Sequence, residues 1–312
     1  MKKKLFAMLF LTFILMSCTN KNENNNFKLN VLCPQGAPAM GIAKTYSTYS
    51  NVNTTLVNGT AEIKSSFLTS SYDVVIAPSN LGAQIYNANE SYQMFAGLSF
   101  GNIYFASTTQ ILSIGDLNNK EIVLFGKGSI NDLVANYVLN YNNITSSISY
   151  MDSASDTKTA FVTNENPEKV YLLAEPTMSA ASIALKSKNI ESYNLSVTSL
   201  WNEATKLEGF MQASIFVKKE TYILHKEVVD NYIEDVKESV NYLNDLTNLD
   251  TTISYLSNVN VNITAKVAKT AIPNSNIKYV DAKYAKEMFE KTYKLNLALV
   301  GGKLPNDGFY KE

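Results

Sequence analysis

The sequence predicts an α/β fold, because short apolar runs of strand length alternate with amphipathic segments of helix length. Three such runs are Asp73–Ala77, Glu121–Phe125 and Val170–Ala174, and each is followed by a short polar or glycine-rich loop and a helical segment. Strands that alternate with helices are typical of sheets covered by helices. We therefore expect an α/β fold with a largely parallel sheet.

The N-terminus has the features of a bacterial lipoprotein signal. Three lysines precede the uncharged run Leu5–Met16, which is shorter than the roughly 20 residues needed to span a membrane and suits a signal peptide. The run ends in Leu15-Met16-Ser17-Cys18, which resembles the lipobox, where a small residue precedes a lipidated cysteine. We predict a signal peptide at 1–17 and a lipidated Cys18 at the start of an asparagine-rich flexible tether, 18–26. The alternative is an ordinary secretory signal.

Composition excludes several classes of partner. A net charge of −1 implies neither nucleic acid nor an acidic membrane surface as a partner. The chain contains no arginine, which excludes bidentate capture of a carboxylate by a guanidinium. Two cysteines are present, and if Cys18 carries lipid, Cys33 has no disulfide partner. We expect Cys33 at the end of a buried strand, as a small hydrophobic side chain.

The remaining elements follow in chain order. "FKLNVLC" predicts the first strand, and "MGIAKTYSTYS" and "TAEIKSSFLTS" predict helices. "GNIYFAST", "SISYM" and "KVYLLAE" predict further strands, and "TAFVTN" and "TMSAASIALKS" predict helices. After residue 222, apolar residues at helical spacing predict an amphipathic helix: Val228, Ile233, Val236, Val240 and Leu243. "DAKYAKEMFEKTYKL" predicts another.

Several segments resemble, in the same order, those of the type II solute-binding proteins of ABC importers. "DVVIAPSNLGAQIYN" resembles a strand-turn-helix element of these proteins, and "GDLNNKEIVLFGKGS" resembles the segment that opens their second lobe. "LLAEPTMSAA" resembles their strand-Glu-Pro-helix element. "GGKLPNDGFY" is similar to the ending of a subgroup near the sulfonate-, nitrate- and thiamine-precursor-binding proteins. The resemblance covers nearly all of the chain after the tether.

The resemblance implies the type II periplasmic-binding-protein fold, with two α/β lobes joined by two crossover strands. We place one lobe at 27–105 plus 214–312 and the other at 106–213, with crossovers near "NIYFAST" and "MQASIFVKK". It also implies a lipid-anchored monomer on the extracytoplasmic face of a bacterial membrane. Such a protein captures a small polar or anionic solute, sulfonate- or nitrate-like, and delivers it to ABC permease and ATPase subunits. No cofactor, metal or nucleic acid is implied.

Four loops that each follow a strand and open a helix are the expected ligand site. Ligands of open α/β sheets bind beyond the carboxyl ends of the strands, where helix N-termini offer free amides. The candidate ligand-binding residues are Gly36, Ala37, Pro38, Ser79, Asn80, Gly126, Lys127, Gly128, Ser129, Glu175 and Thr177. Each has a plainer interpretation, since the glycines can shape turns, the serines can cap helices, Lys127 can be solvated and Glu175 can complement a helix dipole.

Two ligand chemistries remain open. Amides, hydroxyls and Lys127 suit a tetrahedral sulfonate. Glu175 suits a ligand with an amine or a protonated ring nitrogen, and Tyr104 or Phe125 can stack on a heteroaromatic ring. A thiamine-precursor pyrimidine or another vitamin is therefore the alternative ligand.

Two other functions are possible on the same fold, an enzyme and a surface adhesin. The single histidine, His225, lies in the charged stretch "LHKEVV", far from the four loops, and we expect it to be an exposed helix residue. No nucleophile-histidine pair is evident, so we expect no catalytic residues. An adhesin would have a filled cleft, whereas a solute-binding protein would have an open one.

Overall fold

The computed structural model describes residues 27–57 and 60–312. The predicted signal peptide 1–17, Cys18 and the tether 18–26 lie outside this range. In the described residues, no helix is both long and apolar enough to cross a membrane.

Eleven strands in the described residues form two sheets. In chain order they are β1 (Leu29–Pro34), β2 (Val52–Val57), β3 (Val74–Pro78), β4 (Tyr92–Phe100), β5 (Ile103–Ser107), β6 (Glu121–Phe125), β7 (Ser147–Met151), β8 (Val170–Ala174), β9 (Tyr193–Ser196), β10 (Met211–Lys218) and β11 (Ile277–Asp281). The first sheet has six strands in the order β11-β4-β10-β3-β1-β2, and the second has five in the order β7-β6-β8-β5-β9.

Both sheets are mixed, so the expectation of a largely parallel sheet is wrong. β1 pairs in parallel with β2 and β3, and β6 does so with β7 and β8. In the first sheet, β10 pairs antiparallel with β3 and β4, and β11 pairs antiparallel with β4. In the second sheet, β5 pairs antiparallel with β8 and β9. An apolar run in the sequence indicates that a strand is buried on both faces. It does not indicate whether the neighbouring strand runs parallel or antiparallel.

Helices cover the faces of both sheets. They are α1 (Ala37–Gly41), α2 (Ala43–Thr48), α3 (Thr60–Thr69), α4 (Ser79–Asn89), α5 (Ile130–Tyr141), α6 (Ala154–Thr163), α7 (Thr177–Ser187), α8 (Val197–Thr205), α9 (Lys219–Leu224), α10 (Lys226–Asn244), α11 (Leu249–Asn258), α12 (Ala265–Asn274) and α13 (Ala282–Tyr293). Short 3-10 turns lie at Ile114–Leu117, Leu246–Asn248, Leu297–Val300 and Asp307–Phe309.

The chain crosses between the sheets twice. It leaves the first sheet at Phe100 and enters the second at Ile103, and it returns between the end of α8 and Met211. Gly101 makes the first crossing with a φ of 52°, and a Cβ there would lie 2.6 Å from Thr198 Oγ1. The crossing therefore needs glycine both for its backbone angle and for its close packing. β5 and β10 span the predicted lobe limits at 105/106 and 213/214, which stay predictions.

Apolar side chains pack on both faces of each sheet. Val74 to Ala77 of β3 are fully buried, as expected for a central strand. Cys33 at the end of β1 is also fully buried in the first lobe, which confirms its predicted position. The apolar face of α10 includes Val236 and Val240, so the predicted amphipathic helix is confirmed.

The expectation for His225 is wrong. This residue joins α9 to α10, and its ring stacks on Phe27 with centroids 3.6 Å apart and an interplanar angle of 8°. Its Nδ1 is buried without a hydrogen-bond partner among the described residues. The charged neighbours of His225 in the sequence suggested an exposed ring. Its packing against Phe27, which is distant in the sequence, half-buries the ring.

Candidate functional site

The four predicted loops follow β1, β3, β6 and β8, four of the strands that pair in parallel. The first loop is shorter than expected, because α1 already begins at Ala37 and contains Pro38. Gly36 precedes it with a φ of 90°, which favours glycine. A Cβ at Gly36 would meet no atom within 4 Å, so the backbone there is open on that side.

The loop after β3 is used for internal contacts. Ser79 is fully buried, and its hydroxyl lies 2.7 Å from the hydroxyl of Ser214 on β10. Asn80 Nδ2 donates to the Leu299 carbonyl at 3.4 Å, and Gln84 Nε2 donates to the same oxygen at 2.7 Å. These two side chains therefore fasten the C-terminal segment to α4.

The glycine-rich loop after β6 wraps around Asp132, a residue of the first turn of α5. The Asp132 carboxylate accepts from the Gly128 amide and from the Tyr150 hydroxyl, both at 2.8 Å. Ser129 is the N-cap of α5 and accepts from the Asp132 amide, and the Lys127 ammonium lies 5.1 Å from the centre of the Tyr150 ring. The Asp132 carboxylate therefore binds the Gly128 amide, which was expected to face a ligand. It also adds a negative charge at the N-terminus of α5.

Gly126 and Gly128 have φ values of 67° and 75°. A Cβ on Gly128 would meet no atom within 4 Å, whereas one on Gly126 would lie 3.0 Å from Ser129 Oγ. The constraint at Gly128 is therefore the backbone angle and not the lack of space.

Glu175, after β8, is a buried carboxylate that is 4% exposed. It accepts from the Ser179 amide at 3.1 Å and from the Ser179 hydroxyl at 2.8 Å. Burial raises the pKa of Glu175, while these hydrogen bonds act in the opposite direction. The neighbouring Thr177 hydroxyl donates to the Ala174 carbonyl, so it caps the turn between β8 and α7.

A cavity of about 720 Å³ lies beside Glu175, between α7 of the second lobe and α12 of the first. Its walls include Tyr104, Glu175, Ser179, Ser182, Thr270 and Asn274. The volume falls within the range of about 300–1,000 Å³ that is typical of small-molecule sites. Of the eleven predicted site residues, Glu175 is the one that lines it.

Two hydrogen bonds join the lobes near these loops. Gln212 on β10 donates through Nε2 to Asn131 Oδ1 on α5 at 2.8 Å. The Gln212 Oε1 atom is buried and has no partner among the described residues. The Tyr104 hydroxyl donates to the Asn274 carbonyl at 3.3 Å. The two lobes are therefore in polar contact at two places.

The sequence analysis missed Gln212, Asn131, Thr270 and Asn274. Asn131 lies close to the predicted glycine-rich loop that follows β6. Its position in the sequence could therefore have indicated that it lies near the site. The other three lie on a crossover strand or on a C-terminal helix, and nothing in their local sequence indicates that they face the second lobe. The described residues contain no group of three His, Cys, Asp or Glu side chains that could hold a metal ion.

No protein-family model and no curated protein sequence matches the chain. Solved structures do match it. The crystal structure of an ABC transporter from Parabacteroides distasonis has a TM-score of 0.74 and 18% identity, over 91% of this chain and 99% of that one. The periplasmic aliphatic sulphonate-binding protein of Escherichia coli has a TM-score of 0.68 and 15% identity, over 91% and 92%.

A third similar structure is the ligand-binding component of an ABC-type import system from Staphylococcus aureus. Its TM-score is 0.64 and its identity is 14%, over 91% of this chain and 96% of that one. The TM-scores show that the chain shares the fold of these proteins, whereas identities this low leave its ligand open. The chain therefore has the type II periplasmic-binding-protein fold, with two α/β lobes joined by crossover strands.

Proposed function

We propose that the protein is the extracytoplasmic solute-binding component of an ABC importer. One observation carries the proposal: two lobes joined by two crossovers border an open cavity of about 720 Å³, which is lined mainly by the second lobe and on one side by Thr270 and Asn274 of the first. The similar structures are named as transporter or ligand-binding components, which supports this class over an enzyme. An open cavity between the lobes also argues against an adhesin with a filled cleft.

The proposal includes capture of a small polar solute and its transfer to permease and ATPase subunits. A sulfonate- or nitrate-like anion is one candidate, and the names of two similar structures support the sulfonate. Asp132 and Glu175 weigh against it, because each places a carboxylate at a helix N-terminus where an anion would otherwise bind. These carboxylates favour the second candidate, a nitrogen-containing compound such as a pyrimidine or another vitamin.

A thermal-shift screen with matched small-angle scattering tests the binding function. A solute at about 100 times its dissociation constant stabilises the folded protein by about 2.7 kcal/mol. We expect at least one sulfonate, nitrate, pyrimidine, thiamine or riboflavin compound to raise the melting temperature and to leave the protein compact. If no small molecule stabilises the protein, and none co-purifies with it by native mass spectrometry, the importer function is wrong.

We also propose that the protein is held at the membrane by lipid on Cys18 and acts as a monomer. The lipobox-like sequence Leu15 to Cys18 supports the anchor. In the native host, Cys18→Ala should abolish incorporation of labelled palmitate, whereas Cys33→Ala should leave it unchanged. Labelling of the Cys18→Ala protein would contradict the anchor without affecting the solute-binding function.

A further inference from the structure

The cavity between α7 and α12 presents one buried charge, the carboxylate of Glu175. An ionised carboxylate has about four acceptor positions. Ser179 fills two of those on Glu175 through its amide and hydroxyl, and the Asn274 side chain of α12 is a further donor near the carboxylate. The remaining acceptor capacity is available to a donor in the cavity. Because burial makes an unpaired charge costly, a ligand that donates a hydrogen bond or carries positive charge would relieve this cost.

The other walls of the cavity supply hydroxyls, amides and one aromatic ring. Ser182 lies on α7, and Thr270 and Asn274 lie on α12. Tyr104 borders the cavity from β5. Two charged residues, Lys186 and Glu191, line the cavity at exposed positions, and their opposite signs leave Glu175 as the dominant charge. Among the described residues of the site, the one buried charge is therefore an acceptor, whereas the one cation, Lys186, is exposed.

We propose that the solute binds in this cavity between α7 and α12, and that it is a nitrogen compound that donates a hydrogen bond from a protonated amine or ring nitrogen to the Glu175 carboxylate. The inference rests on the proposed solute-binding function and deepens it. It moves the site away from the glycine-rich loop, where Asp132 already accepts from the Gly128 amide. It also assigns the wall contributed by the first lobe to α12, a helix of the C-terminal part of the chain.

The chemistry of the ligand is tested with Glu175→Gln and a matched control, Glu203→Gln. The probes are amines and aminated heterocycles, including cytosine and benzylamine, and a second series of anions, ethanesulfonate and nitrate. We expect nitrogen donors to bind the native protein by calorimetry and Glu175→Gln to weaken this binding at least about tenfold, which is about 1.4 kcal/mol. Glu203→Gln, which removes an exposed carboxylate on α8 that does not line the cavity, should change the affinity less than about threefold.

The location of the site is tested separately, with Thr270→Trp. Thr270 is exposed on the cavity wall, so an indole there should fill the cavity without disturbing the core. Lys269→Trp is the control, because Lys269 is an exposed neighbour on α12 that does not line the cavity. We expect T270W to abolish binding and K269W to preserve it, with unchanged circular dichroism in both. This pair gives an answer even if E175Q does not fold.

Two results would overturn the inference. Binding of ethanesulfonate or nitrate that survives both E175Q and T270W would place an anion elsewhere, while leaving the importer function intact. A panel in which no nitrogen donor binds the native protein would remove the proposed ligand class. Failure of the importer function is a different result, since it requires that no solute of either series binds.

Discussion

Burial decides the chemistry of the Cys33 thiol. It is fully buried at the end of β1, and burial raises the pKa of this thiol. Only the thiolate reacts readily, so Cys33 is a packing residue in the native protein.

The first prediction concerns this thiol. In a Cys18→Ser background Cys33 is the only thiol, and we expect it to be unreactive toward dithionitrobenzoate in native protein at pH 8. The full equivalent should react once the chain is unfolded in guanidinium chloride. Rapid reaction without denaturant would show that the thiol is accessible and would contradict the burial of β1.

The raised pKa of Glu175 predicts a pH dependence of the stability of the protein. Its pKa is raised by burial in the folded state, so the folded protein holds this proton more tightly than the unfolded chain does. The stability from this group is therefore fully present below the unfolded value of about 4.3 and is lost as the pH rises through the folded pKa.

Glu175→Gln removes this titration and keeps an acceptor for Ser179. We expect the melting temperature of the ligand-free E175Q protein, relative to that of native protein, to increase from pH 4 to pH 7. Calorimetry in buffers of constant ionic strength measures the difference. E191Q, which alters an exposed group, should show little change with pH, and a decreasing difference for E175Q would mean that the carboxylate is stabilised by its surroundings.

α4 packs closely on its sheet through Gly82. A Cβ at Gly82 would lie 2.1 Å from the Phe216 ring of β10. That ring cannot move freely, because Phe67 and Phe309 pack against it with centroid distances of 5.4 Å and 5.9 Å. The glycine is therefore required by the distance between the helix and the sheet.

Replacing Gly82 by alanine should therefore destabilise the protein. Overpacking in a core costs roughly 1–3 kcal/mol, and we expect a loss at the upper end of this range in urea unfolding. Gly115→Ala is the control, because a Cβ there is 3.5 Å from Ser113 Oγ, an ordinary contact at an exposed site. Equal unfolding midpoints for the two variants would mean that α4 can shift away from β10 at little cost.

For the whole molecule, the relevant quantity is the balance between open and closed lobes. Gln212 and Asn131 make a direct hydrogen bond across the lobes. A side-chain hydrogen bond contributes about 0.5–1.5 kcal/mol, enough to change the populations of two conformations several-fold. The crossover segments around Gly101 and Gly209, both with positive φ, are where we expect the hinge angles to change.

Gln212→Ala should therefore favour the open arrangement. We expect a larger radius of gyration by small-angle scattering for the ligand-free variant, and recovery of the compact form at saturating ligand. Gln93→Ala is a matched control, since Gln93 donates to Gly308 and Tyr310 within the first lobe. A radius of gyration that is the same in native protein, Q212A and Q93A would show that this bond does not hold the lobes together.

The sequence alone determined the parts of the fold that depend on local pattern. The apolar runs of β1, β3, β6 and β8 and the helices after them were predicted, because burial on both faces and helical spacing are visible within a few residues. Their order, together with the resemblance to binding proteins, was sufficient for the two-lobed α/β fold. Glu175 was predicted as a site residue because it follows a strand and opens a helix.

The tertiary structure decided which strands run antiparallel and which residues face each other across the lobes. Ser79 and Ser214 are 135 residues apart, and Gln212 and Asn131 are 81 apart, so no local pattern could pair them. Likewise Thr270 and Asn274 border the cavity only because α12 packs against α7. Periodicity records whether a side chain is buried, but its partners are set by the packing of elements distant in the chain.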